Sequence, residues 1–367
     1  MKRIHRIFFM LVTAAFLSGA TLAADDVLRP GHPSHYVVKK GDTLWDIAGM
    51  FLKKPWLWPE IWYVNPQIRN PHLIYPGDEL DLVYVNGKPR LTLKRGPIKL
   101  SPRVRSEPLR QPIPTIPIDH IAPYLTRPYV IDDADALPYV VAFADEHIMA
   151  GAGQRLYVRG TTADDTSRQY DIVRPGKVYK DGKTGKVLGW KAIYVGSGKL
   201  LADGDPATLS VSRTQREILT GDRLLPFTAS GLATDFHPKA PTKPVEGTII
   251  DALDRINEIG LYDVVVIDRG RADGITPGTV LQIDQEGEVV PDRVARERAR
   301  RGLGNIALDD DSASSEKKQA ASVWETVKLP DEEAGLLMVF RSFERVSFGL
   351  VMYARKAIHL HDKVVNP

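Results

Sequence analysis

Apolar and polar positions follow three different patterns along this chain, and each predicts a different kind of structure. In the first, near the N-terminus, the run "HYVV" from His35 is a short strand that Gly41 ends. Leu44, Ile47, Ala48 and Phe51 then recur at i, i+3, i+4 and i+7, the apolar face of a helix. Thr43 is placed to cap that helix, with Asp46 three residues on answering as in a capping box, and Asp42 competes for the role. A second helix is expected to open at Pro59, run through "PEIWYVN", and stop near Asn65 because Pro66 follows. "NPHLIYPGDELDLVYV" gives a loop, a Pro-Gly turn and a closing strand. The predicted unit is strand, helix, helix, strand, a small α+β module over residues 33–84.

The second pattern is the loss of any period. Eight prolines fall in the 33 residues from Gly96 to Pro128, spaced so that neither a helix nor a central strand is expected. Residues 85–128 therefore read as an extended linker, with a reach on the order of 100 Å if the proline-rich part is fully drawn out.

From Tyr129 onward the third pattern takes over, short alternating runs separated by glycine turns: "QRLYVRG", "KVLGWKAIYVGSGKLL", "DVVVIDRG", "GLLMVFRSF". This predicts a mainly all-β region of small barrels or sandwiches, with one unit over 129–228 and a second over 245–367. A proline-bearing joint, Asp235 to Pro244, separates them. The polar stretch 309–322 is expected to be a disordered loop. The basic run Arg293 to Gly302 reads either as a short exposed helix or as a solvated hairpin extension. A shift of 140 residues lays "VSRTQREILTGDRLLP" on "VMYARKAIHLHDKVVNP", matching Val211 to Val351, Ile218 to Ile358 and Asp222 to Asp362. Two related β-units explain that repeat.

Length agrees with this division, since 367 residues suggest two or three domains. Net charge adds little: +3 is too small to argue for nucleic acid. Its placement says more. Residues 35–110 hold 13 Lys and Arg against 7 Asp and Glu, an excess of +6, which either attracts an anionic polymer or membrane surface or is simply a solvated face. Lys2, Arg3, His5 and Arg6 precede an apolar run from Ile7 to Leu17 and then small residues, the order of a secretory signal peptide over 1–24. Cleavage is expected after Ala23 or Ala24, an uncleaved anchor being the alternative, and no membrane span is expected afterwards. The absence of cysteine excludes disulfides and a lipid anchor on a leading cysteine. The periplasm of a Gram-negative bacterium fits these features.

"YVVKKGDTLWDIA" followed by "NPHLIYPGDELDL" resembles the LysM domain, the carbohydrate-binding module of cell-wall proteins. The resemblance implies binding of peptidoglycan glycan strands, rich in N-acetylglucosamine-type sugars, through Gly41, Asp42, Thr43 and Leu44 on one loop and Leu73, Ile74 and Tyr75 on the facing one. A glycine such as Gly41 lets a sugar approach the main chain. Leu44, Ile74 and Tyr75 read equally as core residues of a fifty-residue fold. The Trp-rich stretch Lys53 to Trp62 is longer than the family's usual segment and bears on the groove's rim or on a partner contact. The whole arrangement also resembles the LysM proteins associated with type IV pilus secretins, whose C-terminal part is similar to a domain of a flagellar assembly protein. That resemblance implies an anchor for an outer-membrane secretin ring against the cell wall.

Many LysM modules are fused to wall-cutting enzymes, which sets the rival reading. Cysteine-based amidase chemistry has no cysteine to use. Zinc chemistry needs a ligand set, and the one close pair, His359 and His361, is expected on one face of a strand with Asp362 pointing away. A glycosidase needs two carboxylates in a cleft, which 46 acidic residues leave open. A generic wall-binding protein with no secretin partner is the other alternative. The reading is a non-catalytic binding protein with no metal and no cofactor.

Overall fold

Thr43 starts the first helix as its place in the sequence predicts. Its Oγ1 accepts the Asp46 N–H at 3.1 Å and donates its own proton to Asp46 Oδ2 at 2.7 Å, so the carboxylate answers the hydroxyl rather than the Thr43 main chain. The computed structural model describes residues 27–62, 73–94, 112–125, 130–161, 168–227, 236–253, 258–295, 297 and 326–367. Residues 1–24, expected as a leader, 309–322, expected as a disordered loop, and most of the basic run 293–302 lie outside them. The chain divides into two units, 1–116 and 117–367. No described helix is long and apolar enough to cross a membrane.

The first unit carries β1 (His35–Val37), α1 (Leu44–Phe51), α2 (Trp58–Ile61), β2 (Glu79–Val85) and β3 (Lys88–Lys94). The three strands form an antiparallel sheet in the order β1-β2-β3, with Leu80 opposite both Tyr36 and Leu93. Leu44, Ile47, Ala48 and Phe51 are all buried, packed with Trp58, Ile61, Ile74, Leu80 and Leu91. The second helix opens at Trp58, after a 3-10 turn over Pro55–Leu57, rather than at Pro59. The module also outgrows its expected limits of 33–84. Residues 27–29 pack on the end of α1, where Arg29 N–H meets Phe51 O at 2.9 Å. Strand β3 lies in the stretch assigned to the linker, and its register with β2 is complete from Glu79–Lys94 to Val85–Lys88. Asn86 and Gly87, both at positive φ, make the two-residue hairpin turn between them.

The linker assignment is corrected again in the second unit, where Ile118–Leu125 forms α3 in spite of Pro123. Pro117 stands just ahead of its first residue, where a missing N–H costs nothing. Ile121 and Tyr124 are buried, and Arg341 Nη1 donates to Tyr124 O at 2.7 Å. An amphipathic turn with a packed face overrode the proline count.

Past α3 the structure is β throughout. Strands β4 (Val130–Ile131), β5 (Tyr139–Phe143), β6 (Arg155–Arg159), β7 (Gln169–Lys180), β8 (Val187–Ala202), β9 (Ala207–Thr214) and β10 (Arg223–Pro226) make one sheet. An extra β8–β9 pairing closes six of them into the ring β5-β6-β9-β8-β7-β10. Then come β11 (Glu246–Ala252), β12 (Val264–Ile267), β13 (Val280–Gln285), β14 (Val289–Pro291), β15 (Thr326–Lys328), β16 (Glu332–Ser342), β17 (Ser347–Ala354) and β18 (Lys363–Val365). Six of these form a closed barrel, β11-β12-β17-β16-β13-β18. The two rings share one connectivity when β5, β6, β7, β8, β9 and β10 are laid on β11, β12, β13, β16, β17 and β18. Their main-chain bonds correspond: Val140 N–H to Asp222 O (2.9 Å) matches Ile249 N–H to Asp362 O (3.0 Å). The weak repeat in the sequence is a duplicated barrel. In the second copy the β13–β16 connection is lengthened by the ribbon β14–β15.

One turn recurs through both units. At residues 219–222 the Asp222 N–H bonds Leu219 O, Gly221 has φ of +88°, and Asp222 Oδ2 accepts the Leu219 N–H at 2.8 Å. Ile218 before it and Leu224 after it are fully buried. This is a type II turn whose last residue closes it with its side chain. Equivalent closures join Lys39 to Asp42, Tyr75 to Asp78, Gly151 to Gln154, Gly260 to Asp263, Thr276 to Thr279 and His359 to Asp362. Glycine holds the positive-φ position in most of them, but Tyr262 and His361 hold it in two.

The barrels are joined by the long β7–β8 hairpin. Gly182 at its tip has Thr248 atoms 2.8 Å from where a Cβ would stand, and its N–H donates to the buried Asp268 Oδ2 at 2.9 Å. Asp181 bonds Arg269 Nη1 at 3.0 Å, and Lys177 Nζ reaches Asp251 Oδ1 at 2.8 Å. The Thr184 main-chain N–H, helped by its hydroxyl and by Arg269, holds the Asp181 carboxyl down at about 2.

Two predictions follow from these contacts. Asp362→Ala leaves the His359 N–H without its acceptor and is expected to destabilise the second barrel by about 1–3 kcal/mol, whereas His361→Gly relieves a left-handed side chain and stabilises it by about 1 kcal/mol. Urea denaturation of the full chain measures both. Because the folded Asp181 pKa lies below its unfolded value, its contribution is complete above about pH 4 and is lost as pH falls through about 2. The advantage of wild type over Asp181→Asn in thermal denaturation should therefore vanish across that window.

Candidate functional site

The seven residues singled out on the two loops fall into two physical groups. Gly41 is exposed at φ of +97° with no atom within 4 Å of a built Cβ, so its freedom is conformational and the space beside it is open. Asp42 does not cap α1. Its Oδ2 accepts the Lys39 N–H at 2.8 Å and the Tyr36 hydroxyl at 2.9 Å, closing the turn. Burial, with Asp42 as acceptor, pushes the Tyr36 phenol up to about 12. Thr43 is buried at its capping position. Leu44 and Ile74 belong to the hydrophobic core, while Leu73 is 38% exposed and Tyr75 is half-buried. The rim available to a ligand thus consists of Gly41, the polar edge of the turn, Leu73 and Tyr75.

What brings the loops together is main chain. The first N–H groups of a helix lack intrahelical partners, and in α1 two of them are taken by a later segment. Leu44 N–H donates to Pro114 O at 3.0 Å and Trp45 N–H to Thr115 O at 3.1 Å. On the facing loop, Ile74 O accepts the Ile113 N–H at 2.8 Å. Ile113 packs into the same core cluster as Leu44 and Ile74. Residues 112–115 therefore lie between the two loops and bond to both.

The comparisons place this geometry. The LysM domain family matches residues 36–82. Residues 36–82 are a LysM domain. That match supports peptidoglycan or carbohydrate binding, and the LysM domain is a binding rather than a catalytic module. An alignment over 60 residues is 45% identical to the uncharacterised protein YqbP of Bacillus subtilis (strain 168), covering 14% of this chain and 27% of that protein. The chain thus spans about a quarter of that relative's length.

The Trp-rich stretch has mostly structural work in this LysM domain. Trp58 is buried, Trp62 meets it edge-on with ring centres 6.4 Å apart, and Trp62 pairs with Leu91 of β3. Arg90 of β3 also donates to Glu60 O. The inserted tryptophans and the unexpected strand cover one another. The histidine pair is corrected as well. His359 and His361 lie in the turn between β17 and β18, not on a strand, and Asp362 accepts the His359 N–H. Among the described residues no group of three or more His, Asp or Glu is gathered as a metal ion would need.

Sequence reasoning missed the segment 112–115 altogether. Its signal was present: Ile113, Ile116 and Ile118 stand among the prolines, and a solvated spacer has no use for three isoleucines in six residues.

The cap can be tested directly. Thr43→Ala is expected to lower stability by about 1 kcal/mol, and Thr43→Ser to retain most of it. Four of the six tryptophans, at 45, 56, 58 and 62, lie in this unit, so thermal unfolding followed by tryptophan fluorescence reads mainly the LysM domain.

Proposed function

We propose that this protein is a non-catalytic peptidoglycan-binding tether. Its LysM domain grips glycan strands at the cleft between the Gly41–Leu44 and Leu73–Tyr75 loops, and its duplicated β-barrels dock on a second structure. The observation that carries the first half is the family match over 36–82, which includes both loops, and residues 112–115 bridge those loops. Such a cleft offers main-chain donors and acceptors and an apolar floor, the complement of a neutral sugar bearing an acetamido group. The anchoring half of the proposal assigns the barrels to an outer-membrane secretin ring of a type IV pilus. It is supported by the order of a signal-like leader, one LysM domain, a proline-rich connection and a β-rich C-terminal half. In this reading the chain acts in the periplasm of a Gram-negative bacterium, with its mature N-terminus near Ala23 or Ala24. Many copies around a ring would give firm attachment from weak single grips.

Three measurements bear on this. Full-length protein should sediment with purified sacculi, and Leu73→Asp, on the exposed rim, should weaken that binding by about tenfold, roughly 1.4 kcal/mol. Undiminished sedimentation of the folded variant would place the glycan elsewhere. Incubation with peptidoglycan should release no soluble muropeptides, and reproducible release that mutation abolishes would make the chain an enzyme. In cells, a truncation lacking 27–116 should still co-localise with labelled secretin, and one lacking 117–367 should spread over the wall. An even distribution of the first truncation would leave a generic wall-binding protein.

A further inference from the structure

We infer that residues Pro112–Thr115 are a built-in competitor for the glycan cleft, and that glycan binds tightly only when this strap leaves. The inference rests on the glycan-binding reading above and concerns how that same site is regulated. Three observations carry it. The strap bonds both loops at once, through Leu44 N–H, Trp45 N–H and Ile74 O. They are two donors on the first loop and an acceptor on the second, all on buried residues. An acetamido group presents the complementary pair, a carbonyl to accept and an N–H to donate, and the strap presents the same pair as Pro114 O and Ile113 N–H. Finally, Ile113 is 6% exposed and sits in the core cluster with Leu44 and Ile74, filling the apolar floor an acetyl methyl would need.

The composition of the strap suits a reversible occupant. Prolines 112 and 114 hold the backbone extended before it docks, which reduces the entropy lost on docking. They also remove their own N–H groups, so Ile113 is the one donor from 112 to 114, and it is aimed at Ile74. The strap is held by two buried side chains, Ile113 and Thr115, with Ile116 buried just beyond it, and by three hydrogen bonds, each of modest net strength because water replaces it on release. No covalent bond holds it, so sugar and strap can compete for the same groups.

Isothermal titration of the full chain with a soluble β-1,4-linked N-acetylglucosamine pentamer, alongside hydrogen exchange by mass spectrometry, tests the inference. Replacing residues 112–116 with Gly-Ser repeats of equal length, or Ile113→Asp alone, should raise affinity by about tenfold, as expected when the open cleft is a tenth or less of the wild-type population. Exchange at Leu44 and Trp45 should rise in these variants before sugar is added, showing that the strap has left. Adding the free peptide Pro-Ile-Pro-Thr-Ile should compete with the pentamer in the variants. In wild type, saturating sugar should lose protection at 112–116 while gaining it across 41–45. Should a variant fail to fold, as circular dichroism would show, the wild-type exchange experiment decides alone. Protection at 112–116 that persists while sugar binds, or a released strap with unchanged affinity, overturns the inference and leaves the glycan-binding reading standing. No binding by wild type and by a folded, strap-released variant overturns both.

Discussion

Seven bends in the described structure are set by one turn, a type II turn that its own last residue closes. The constraint is local but strict. A buried apolar residue must be followed, within six positions, by another buried apolar residue on a different course, and the N–H left pointing into the bend must find an acceptor. An Asp, Gln or Thr at the fourth turn position supplies it, at 2.6–3.3 Å in seven such turns among the described residues. The same device ends β1 of the LysM domain, starts its β2, and steers five of the strands of the two barrels, β6, β10, β12, β13 and β18. Asp222 and Asp362 are buried to do this, and burial raises the Asp362 pKa. Asp222 also accepts a two-pronged ion pair from Arg174 at 2.8 and 2.9 Å. Asp362 accepts the His359 N–H of its own turn.

This explains what the sequence could and could not convey. Patterns that arise within six or seven residues were legible: the i, i+3, i+4, i+7 face of α1, the capping Thr43, the alternation of β2, and the mainly β character after Tyr129. The repeat was legible because its matched residues are the turn's own fixed points, Ile218 and Asp222 against Ile358 and Asp362. Its meaning was not, because ring order depends on pairings such as β8 with β9 that no short window contains. The prolines misled for a related reason. Pro123 forbids one hydrogen bond in α3, but Ile121 and Tyr124 gain a buried face that outweighs it. Likewise β3 looked like the start of a spacer until β2 and the Trp-rich insertion gave it something to cover.

At the site, residue type was legible and availability was not. Leu44 and Ile74 read as either floor or core, and packing places them in the core. Asp42 read as a cap or a sugar contact, yet its Oδ2 closes the turn that carries Gly41 by accepting the Lys39 N–H, and also accepts the Tyr36 hydroxyl. The two loops are thus rigid because their polar groups are spent internally. What remains for recognition is mostly main chain, and main chain cannot distinguish a glycan's amide from a peptide's. A cleft built this way selects by the shape and stiffness of what lies in it.

That lack of chemical discrimination gives the strap its physical interest. Residues 112–115 occupy the cleft at the point where the chain leaves the LysM unit, so any tension between the two units must run through them before it reaches residues 95–111. A segment bonded by three main-chain hydrogen bonds and anchored by the buried Ile113 and Thr115 has a hold that is non-covalent and local, smaller than that of a folded domain. Competition between two such weak occupants is sensitive to small changes in either, including the local concentration of glycan near a wall and the load on the chain. A tether whose grip is opposed by its own tail would stay loose where glycan is sparse. In the proposed tether, many copies on a dense wall would let avidity exceed the strap's intramolecular advantage, and the cleft would change hands.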